Sequence, residues 1–489
     1  MNQISKWYKI EEHLKKYQKT YEYSLVSFLI IPLFIYLDSF RSIIPWFICY
    51  GLIGIISNIL SKKIADLNNF KSIVKFSYII LSILGLIITV DNVNNFGLPY
   101  GDGHDDSEFF YNMKILAEGT SGRTEYGLYI FIGSLFARFT NFIFFFKDVS
   151  IIDLLPLNWV MAALCIGLSG QLAYTVLSRK LPNSLLFLTL IGNFVFVDST
   201  VRLYRDVFML FFVLLSMILI LKKKYIKGLF STMLAGIIRG ADGLLTLFFL
   251  GLHSITSKVN KKHVNKIYII IIISLLVFSL NINQRGSIFI ALCSRSAEST
   301  KYYQVFEGFS ISDIAKLRMD KIYNRERGFM ASLSQQYGGI IGFFIKLIIF
   351  LFFPITFYSP VMSMKFNTFY DSGYVLNGFF IFNIIKWLMV LCWIIIIPLF
   401  IIGFIKAIKG TITEKNFVML YLISLILIIL ISGQFRHTAF LVVLNPVFIN
   451  IGFNAISKNH KYLKIFKILK ISIFILIIFY NIFKIIKLT

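Results

Sequence analysis

Charged residues are scarce in this chain. Only 15% of its 489 residues are Asp, Glu, Lys or Arg, whereas a soluble globular domain holds about 25%. Hydrophobic residues make up 57%, which also excludes a disordered chain, because disorder requires low hydrophobicity. A membrane helix needs about 20 apolar residues. We therefore expect an all-α polytopic membrane protein, with a single membrane domain over 1–489 and about 11–14 transmembrane helices.

Cysteine is also scarce, and its spacing excludes two kinds of site. The four cysteines are scattered and form no CxxC pair, so neither a zinc site nor a disulfide framework is expected. The sequence shows no Walker A motif, Rossmann glycine pattern, HExxH or GxSxG in a supporting context. We accordingly predict no cofactor and no metal. Residues 1–22 are polar and basic and lack the apolar core of a cleavable signal peptide.

Acidic residues are half as numerous as basic ones, 24 against 49. In a soluble protein the resulting charge of +25 would suggest a nucleic-acid partner. In a membrane protein, however, Lys and Arg mark cytoplasmic loops, so we predict no nucleic acid. The same rule makes 1–22 a cytoplasmic N-terminus and places the basic segments 62–71, 222–224 and 258–262 on the same side.

Apolar runs bounded by charge give the predicted spans: 23–38, 43–60, 72–90, 155–178, 183–201, 206–221, 226–238 with 242–256, 266–284, 378–405, 416–433, 437–456 and 463–485. Two further runs, 124–146 and 338–358, would put lysines on the wrong side if they crossed. We predict that 124–146 is re-entrant, interfacial or half of a hairpin, and 338–358 is a second candidate of this kind. Such backbone is tolerated only where protein or water covers it.

Two large external loops follow from this topology. The first, 91–154, is acidic and includes the re-entrant segment; its first part, 91–125, holds seven acidic residues against two basic ones. The second, 285–377, is basic at its start. Cationic side chains there depart from the positive-inside pattern, which favours an anionic ligand, although a charged loop helix is the plainer interpretation.

The densest acidic stretch is Asp102–Glu108, with four carboxylates in seven residues. Such a cluster is solvated, binds a cation, or holds a carboxylate whose raised pKa suits general-base catalysis. We take Asp105, Asp106 and Glu108 as catalytic candidates. His104 beside them is a substrate-binding candidate, and a surface histidine is the plainer alternative.

Arginines mark the turns on the predicted outer side. Arginine at a membrane-embedded turn is costly and usually functional, and its planar fork suits bidentate contacts to phosphate. Structural pairs, such as Arg202 with Asp198 or Arg239 with Asp242, are the alternative. The substrate-binding candidates are Arg202, Arg205, Arg239, Arg285, Arg325, Arg327, Arg436 and His437.

Several of these stretches together resemble the GT-C superfamily of integral-membrane glycosyltransferases. In the first loop the similar features are Asp105-Asp106, Tyr111, Ala117-Glu118-Gly119 and Tyr126, followed by an apolar run. Later ones are the Arg202–Asp206 turn, Arg239 in a glycine-containing break, and Arg436 before Asn445-Pro446. The resemblance covers about 70–250 and 415–456, and its motifs are short. Within the superfamily the chain looks most like a Wzy-type O-antigen or capsule repeat-unit polymerase.

The resemblance implies a GT-C-like bundle that polymerises undecaprenyl-diphosphate-linked oligosaccharide repeats at the outer face of a bacterial inner membrane, with the active site facing the periplasm or cell exterior. It implies that external arginines hold the lipid diphosphates of these glycans. Its implied partners are those glycans, membrane lipids and, as a further candidate, a chain-length regulator protein. The dense Asp102–Glu108 cluster is a departure and is more similar to lipid-phosphate sugar transferases.

Three alternatives stay open at this point. One is a GT-C transferase that adds a single sugar from a polyprenyl-phosphate donor. Another is a lipid-linked oligosaccharide flippase or other transporter, although transporters commonly carry internal repeats and none is evident. The third is a structural or receptor protein in which the Arg and Asp clusters merely pair.

Overall fold

The computed structural model describes residues 2–67, 69–100, 105–119, 127–144, 148–257, 367–369, 375–377, 381–428 and 438–488. Its helices are α1 Asn2–Leu25, α2 Ile31–Tyr36, α3 Ile43–Lys63, α4 Phe70–Phe96, α5 Asp105–Ala117, α6 Gly127–Ile143, α7 Ile151–Leu177, α8 Asn183–Leu190, α9 Phe194–Val201, α10 Asp206–Leu221, α11 Tyr225–Ile238, α12 Gly240–Thr256, α13 Ile381–Ile408, α14 Ile412–Leu427, α15 Ala439–Val442, α16 Asn445–Lys458 and α17 His460–Leu488.

The protein is an all-α polytopic membrane protein. Within the described ranges, five helical segments are long and apolar enough to cross a membrane: Phe40–Lys63, Phe70–Asn95, Ile151–Leu177, Ile381–Ile408 and Ala439–Lys458. The bent pair α8–α9 makes a sixth if it is one span, and α6, α10, α11 and most of α12 are shorter apolar helices. The count of 11–14 spans stays a prediction. A short antiparallel pair, β1 Asn367–Phe369 and β2 Val375–Asn377, accompanies the helices, with Thr368 opposite Leu376.

Helix α7 is the centre of the described bundle. It is apolar on all sides and almost every residue from Ile151 to Ala173 is buried, as expected for a helix enclosed by others. Close packing requires glycine at its contacts with α4, because a Cβ on Gly85 would overlap the Trp159 ring and one on Gly167 would overlap Val74. Helices α3, α4, α10 and α16 surround it.

The predicted span 183–201 is not one straight helix. It is divided into α8 and α9, which meet at an angle of 73°. Asn193 caps α9, its side-chain oxygen accepting a hydrogen bond from the N–H of Val195 at 3.0 Å, which is the usual role of Asn at a helix start. At the break, a Cβ on Gly192 would overlap the carbonyl oxygen of Leu188. The local chemistry of a glycine and a cap therefore outweighs the continuous apolar pattern.

A second break falls at Arg239, where the backbone is extended between α11 and α12. The two helices return against each other so closely that a Cβ on Gly243 would overlap the backbone of Gly236. The structure therefore has a tight helical hairpin at this break. It places Arg239 at the tip.

The bundle has two chemically different ends. At one, which we call the basic end, Lys222 pairs with Asp66 at 2.5 Å and Lys180 pairs with Glu11 at 2.5 Å. Lys224 there donates to the carbonyl of Lys63 at 3.2 Å. At the other, which we call the arginine end, lie Arg202 and Arg239. Helix α10 connects the two ends, running from Asp206 to Leu221.

Candidate functional site

The arginine end is built on the turn between α9 and α10. Side chains of α7 hold this turn in place. The Asn158 amide donates to the carbonyls of Arg202 at 2.5 Å and Tyr204 at 3.0 Å. The Trp159 indole donates to the carbonyl of Val201 at 2.8 Å. Buried backbone carbonyls need such partners. The turn is thus fixed by side chains of a helix that is itself buried.

Arg202 joins this turn to the acidic stretch of the sequence. Its Nε donates to Oδ1 of Asp198 at 3.0 Å, and its Nη1 lies 3.9 Å from Oδ2 of Asp106. The Asp106 side chain is only 4% exposed and that of Arg202 only 18%. Two candidates that are 96 residues apart, one for the base and one for the anion ligand, are therefore in contact. The Arg202–Asp198 pair also forms, as the structural alternative predicts.

Arg239 reaches the same end from the hairpin tip. Its Nη1 lies 2.5 Å from Oδ1 of Asp206, and both side chains are largely buried. Asp206 is the first residue of α10, where a negative charge is favoured by the helix dipole. This partner of Arg239 thus belongs to another helix, α10.

Tyr129 lies near the acidic member of each of these ion pairs. Its hydroxyl donates to Oδ1 of Asn158 at 3.3 Å, and the carboxylates of Asp206 and Asp106 both act on it electrostatically. Its ring packs edge-on against Phe109 and Phe208, each with centroids 5.2 Å apart. Tyr129, which belongs to α6, therefore contacts helices α5, α7 and α10.

Helix α6, which carries Tyr129, packs across the arginine end. Its first turn contacts Asn158 through Tyr129, while Phe144 just after its last turn stacks under Arg41, which is 3.5 Å from Asp153. The start of α6 thus contacts α7 directly, and its end is linked to Asp153 of α7 through Arg41. Arg138 also ties it to α5, donating to the carbonyls of Leu116 and Ala117. Whether 124–146 is re-entrant in a bilayer stays a prediction.

Two residues of this end were missed at the sequence level. The Asp91 carboxylate accepts the N–H groups of Ile381 at 2.9 Å and Phe382 at 2.7 Å, and so caps the first turn of α13 from α4. Lys386 is half-buried, with its ammonium 5.1 Å from the Phe382 ring and 5.8 Å from the Phe194 ring. It acts electrostatically on Asp198, Arg202 and Asp91. A lysine inside an apolar run such as 378–405 is the signal that could have found it.

The other site residues predicted from the sequence lie in α5, at the start of α10 or outside the described residues. Asp105 begins α5, and Glu108 is half-buried on the same helix, its carbonyl accepting from Asn112 at 2.9 Å. Arg205 is half-buried at the start of α10. Six further candidates lie outside the described residues: His104, Arg285, Arg325, Arg327, Arg436 and His437. In the described ranges, no group of three or more His, Cys, Asp or Glu side chains is arranged to hold a metal ion.

Charge at this end is dense and largely buried. The described cluster combines the carboxylates of Asp91, Asp106, Asp198 and Asp206 with the cations of Arg202, Arg239 and Lys386. Buried charges are expensive and in membrane proteins usually mark function. We refer to these seven residues as the arginine-end cluster. Chemically it supplies a proton acceptor next to cations that suit phosphate.

A separate cavity of about 530 Å³ opens at the basic end. It is lined by residues that include Asp66, Asn69, Lys180 and Asn183. Its polar contacts hold loops together: Asn69 donates to Asn183 at 2.9 Å, and Gln171 accepts from the N–H of Asp66 at 2.9 Å. It is therefore a cavity between structural contacts, a helix length away from the arginine-end cluster.

Comparison with known proteins adds no family to this geometry: no family model, curated protein or solved structure matches the chain.

Proposed function

We propose that the protein is a glycosyltransferase that polymerises undecaprenyl-diphosphate-linked oligosaccharide repeats, with its active site at the arginine end. The observation that carries this proposal is the contact of Arg202 with Asp106, which brings a candidate base and a candidate phosphate ligand together in a largely buried cluster. The resemblance to GT-C glycosyltransferases motivates the choice of reaction.

The reaction needs a base at the acceptor and a cation at the donor. In the proposed step, Asp106 takes the proton of an acceptor sugar hydroxyl as that oxygen bonds to the anomeric carbon of the donor. The bond from that carbon to the diphosphate oxygen breaks, and undecaprenyl diphosphate leaves. Asp105 and Glu108 on the same helix are the alternative bases. Preorganised cations at the departing diphosphate then stabilise the charge that develops.

Arg202, Arg205 and Arg239 are the proposed diphosphate ligands, with Lys386 as a further cation. Arginine suits this role because its fork makes paired, charge-assisted hydrogen bonds to phosphate oxygens. In the described cluster Arg202 and Arg239 contact carboxylates, which hold the guanidinium groups in place before a ligand arrives. The apolar helices beside them suit a polyprenyl tail.

The proposed setting is the inner membrane of a bacterium, with the arginine end towards the periplasm or cell exterior. The choice of membrane follows from the resemblance, and the orientation rests on the charge distribution: lysine pairs gather at the basic end, and basic loops are typically cytoplasmic. The arginine end then faces the opposite compartment, where lipid-linked repeats would be joined.

The decisive experiment changes the proposed base. We expect Asp106→Asn to lower the formation of product ladders from lipid-linked repeat units about 100-fold or more, the usual contribution of a general base. The purified variant is incubated with the repeat unit and its products are separated by size, after its thermal unfolding has been compared with that of the unchanged protein.

Asp148→Asn is the matched control. Asp148 also lies near α5, 3.6 Å from Lys114, but its side chain is 88% exposed, so we expect activity within about twofold of the unchanged protein. Full activity of Asp106→Asn would remove Asp106 from the mechanism. A single added sugar in place of a ladder would identify a single-sugar transferase, and transport of the lipid-linked glycan without a new bond would identify a flippase.

A further inference from the structure

An apolar groove with a basic rim runs between α13 and α17, away from the arginine-end cluster. It encloses about 660 Å³. Its α13 wall consists of Leu391, Ile394 and Ile395, and its α17 wall holds the apolar residues Phe466, Ile471 and Phe474. Two lysines, Lys467 and Lys470, complete the lining and are exposed.

The position of the lysines gives the groove a polarity. The Lys406 ammonium, near the end of α13, lies 5.2 Å from the Tyr462 ring in the first turn of α17. The two helices are therefore antiparallel, and α17 begins at the basic end. Lys467 is five residues after Tyr462, about 7.5 Å along the helix, whereas Ile471 and Phe474 lie further from the basic end. The positive charge of the groove thus lies towards the basic end, beside Phe466, and the part lined by Ile471 and Phe474 is apolar.

The surrounding surface is also apolar. Large side chains of α17 are exposed beside and beyond the lysines, namely Ile468, Ile471, Phe474, Ile475, Ile478 and Phe479. Contiguous exposed apolar surface in a membrane protein faces lipid. Basic pockets between membrane helices bind anionic lipid head groups, and the long lysine stem reaches from an apolar wall to a charged group.

We propose that this groove is a binding site for an anionic phospholipid. The phosphate lies against Lys467 and Lys470, and one acyl chain follows Ile471 and Phe474 along α13. The charge pattern selects this occupant, because two cations at one end of an apolar groove complement a molecule with one anionic end and one apolar tail. The site belongs to the half of the membrane nearer the basic end and does not depend on the proposed glycosyl transfer.

The test measures lipid retention by the full-length purified protein. Native mass spectrometry counts phosphatidylglycerol and phosphatidylcholine molecules that remain bound from an equimolar mixture. We expect the unchanged protein to prefer phosphatidylglycerol, and the double variant Lys467→Gln/Lys470→Gln to lose roughly 30-fold of that preference, since each basic residue near a membrane surface contributes roughly fivefold.

The matched control is Lys461→Gln/Lys464→Gln. These two lysines are exposed on the same helix but do not line the groove, so the preference should remain. Ile471→Trp keeps every charge and fills the groove, and we expect it to release the bound lipid. The proposal is overturned if the unchanged protein shows no preference, or if both lysine pairs lose it equally. It is also overturned if inorganic phosphate alone displaces the anionic lipid, or if a second copy of the chain occupies the groove without lipid.

Discussion

At the scale of single residues, the arginine-end cluster differs from the ion pairs of the basic end in its burial. The side chains of Arg239 and Asp206 are 15% and 9% exposed, whereas Asp66, the partner of Lys222, is 56% exposed. A buried charge that loses its partner has no water to replace it, while an exposed pair contributes little. The N···O distance is 2.5 Å in both pairs, but their contributions to stability are therefore expected to differ.

Removing one partner of each pair tests this difference. We expect Arg239→Ala to lower the free energy of unfolding by about 3–5 kcal/mol, because Asp206 is left buried without its guanidinium. Lys222→Ala is the control, with an expected loss of about 0–1 kcal/mol. Denaturant unfolding of both variants in the same detergent measures the two values. Adding Asp206→Asn to Arg239→Ala should recover part of the lost free energy of unfolding. If the double variant loses as much as the two single variants together, the energetic coupling between Arg239 and Asp206 is contradicted.

The sequence was informative about some of these residues and silent about others. Asp106, Arg202 and Arg239 were recognisable because charges stand out in an apolar chain. In the sequence, Asp91 is only one of several acidic residues of the first loop. Its role, the capping of α13, depends on a helix that begins 290 residues later. Tyr129 and Asn158 carry no charge in a chain with 25 tyrosines, and nothing local distinguished them.

At the scale of elements, close helix contacts depend on glycine. Helices α13 and α16 cross at Gly403 and Gly452, where a Cβ on the first would overlap the carbonyl oxygen of Phe448 and one on the second that of Leu399. Small residues at such crossings let membrane helices approach and gain van der Waals contact. The pattern of apolar residues along α13 does not show this face, because the helix is apolar on nearly all sides.

The crossing gives a prediction about packing. We expect Gly403→Leu to lower the melting temperature in detergent by about 5 °C or more, as overpacking typically costs 1–3 kcal/mol and here the obstacle is backbone. The control is Gly51→Leu, since nothing lies within 4 Å of a Cβ at Gly51 and it should be neutral. Equal melting temperatures for the two variants would show that α13 and α16 are not held by this contact.

At the scale of the whole molecule, charge is sorted between the two ends of the bundle. Lysine pairs join loops at one end, through Lys180 and Lys222. Buried arginine pairs reach other helices at the opposite end, Arg202 to Asp106 and Arg239 to Asp206. Lysine suits a loop in contact with water, whereas the arginine fork suits buried, directed contacts. Basic residues therefore have different roles at the two ends of the bundle.

This sorting predicts the orientation of the protein in its membrane. We expect a cysteine introduced at Lys224, which is exposed at the basic end, to react only with a membrane-permeant maleimide in intact cells. A cysteine at Glu118, which is exposed after α5, should react with an impermeant one. Cys293 and Cys392 are replaced by serine to lower background labelling. Cys49 and Cys165 are buried and stay in place. The reverse labelling pattern would invert the topology.

The sequence by itself determined the class of protein. Apolar runs near the length of a membrane span exclude a soluble domain, and charge with glycine signalled the break at Arg239. The break at Gly192, inside the predicted span 183–201, was not predicted. The tertiary structure decided which of the scattered charges meet. Arg202 contacts Asp106, Arg239 contacts Asp206, and Lys386 joins them. Apolar periodicity shows that a residue is buried but not which helix it packs against, so the arginine-end cluster exists only in the assembled bundle.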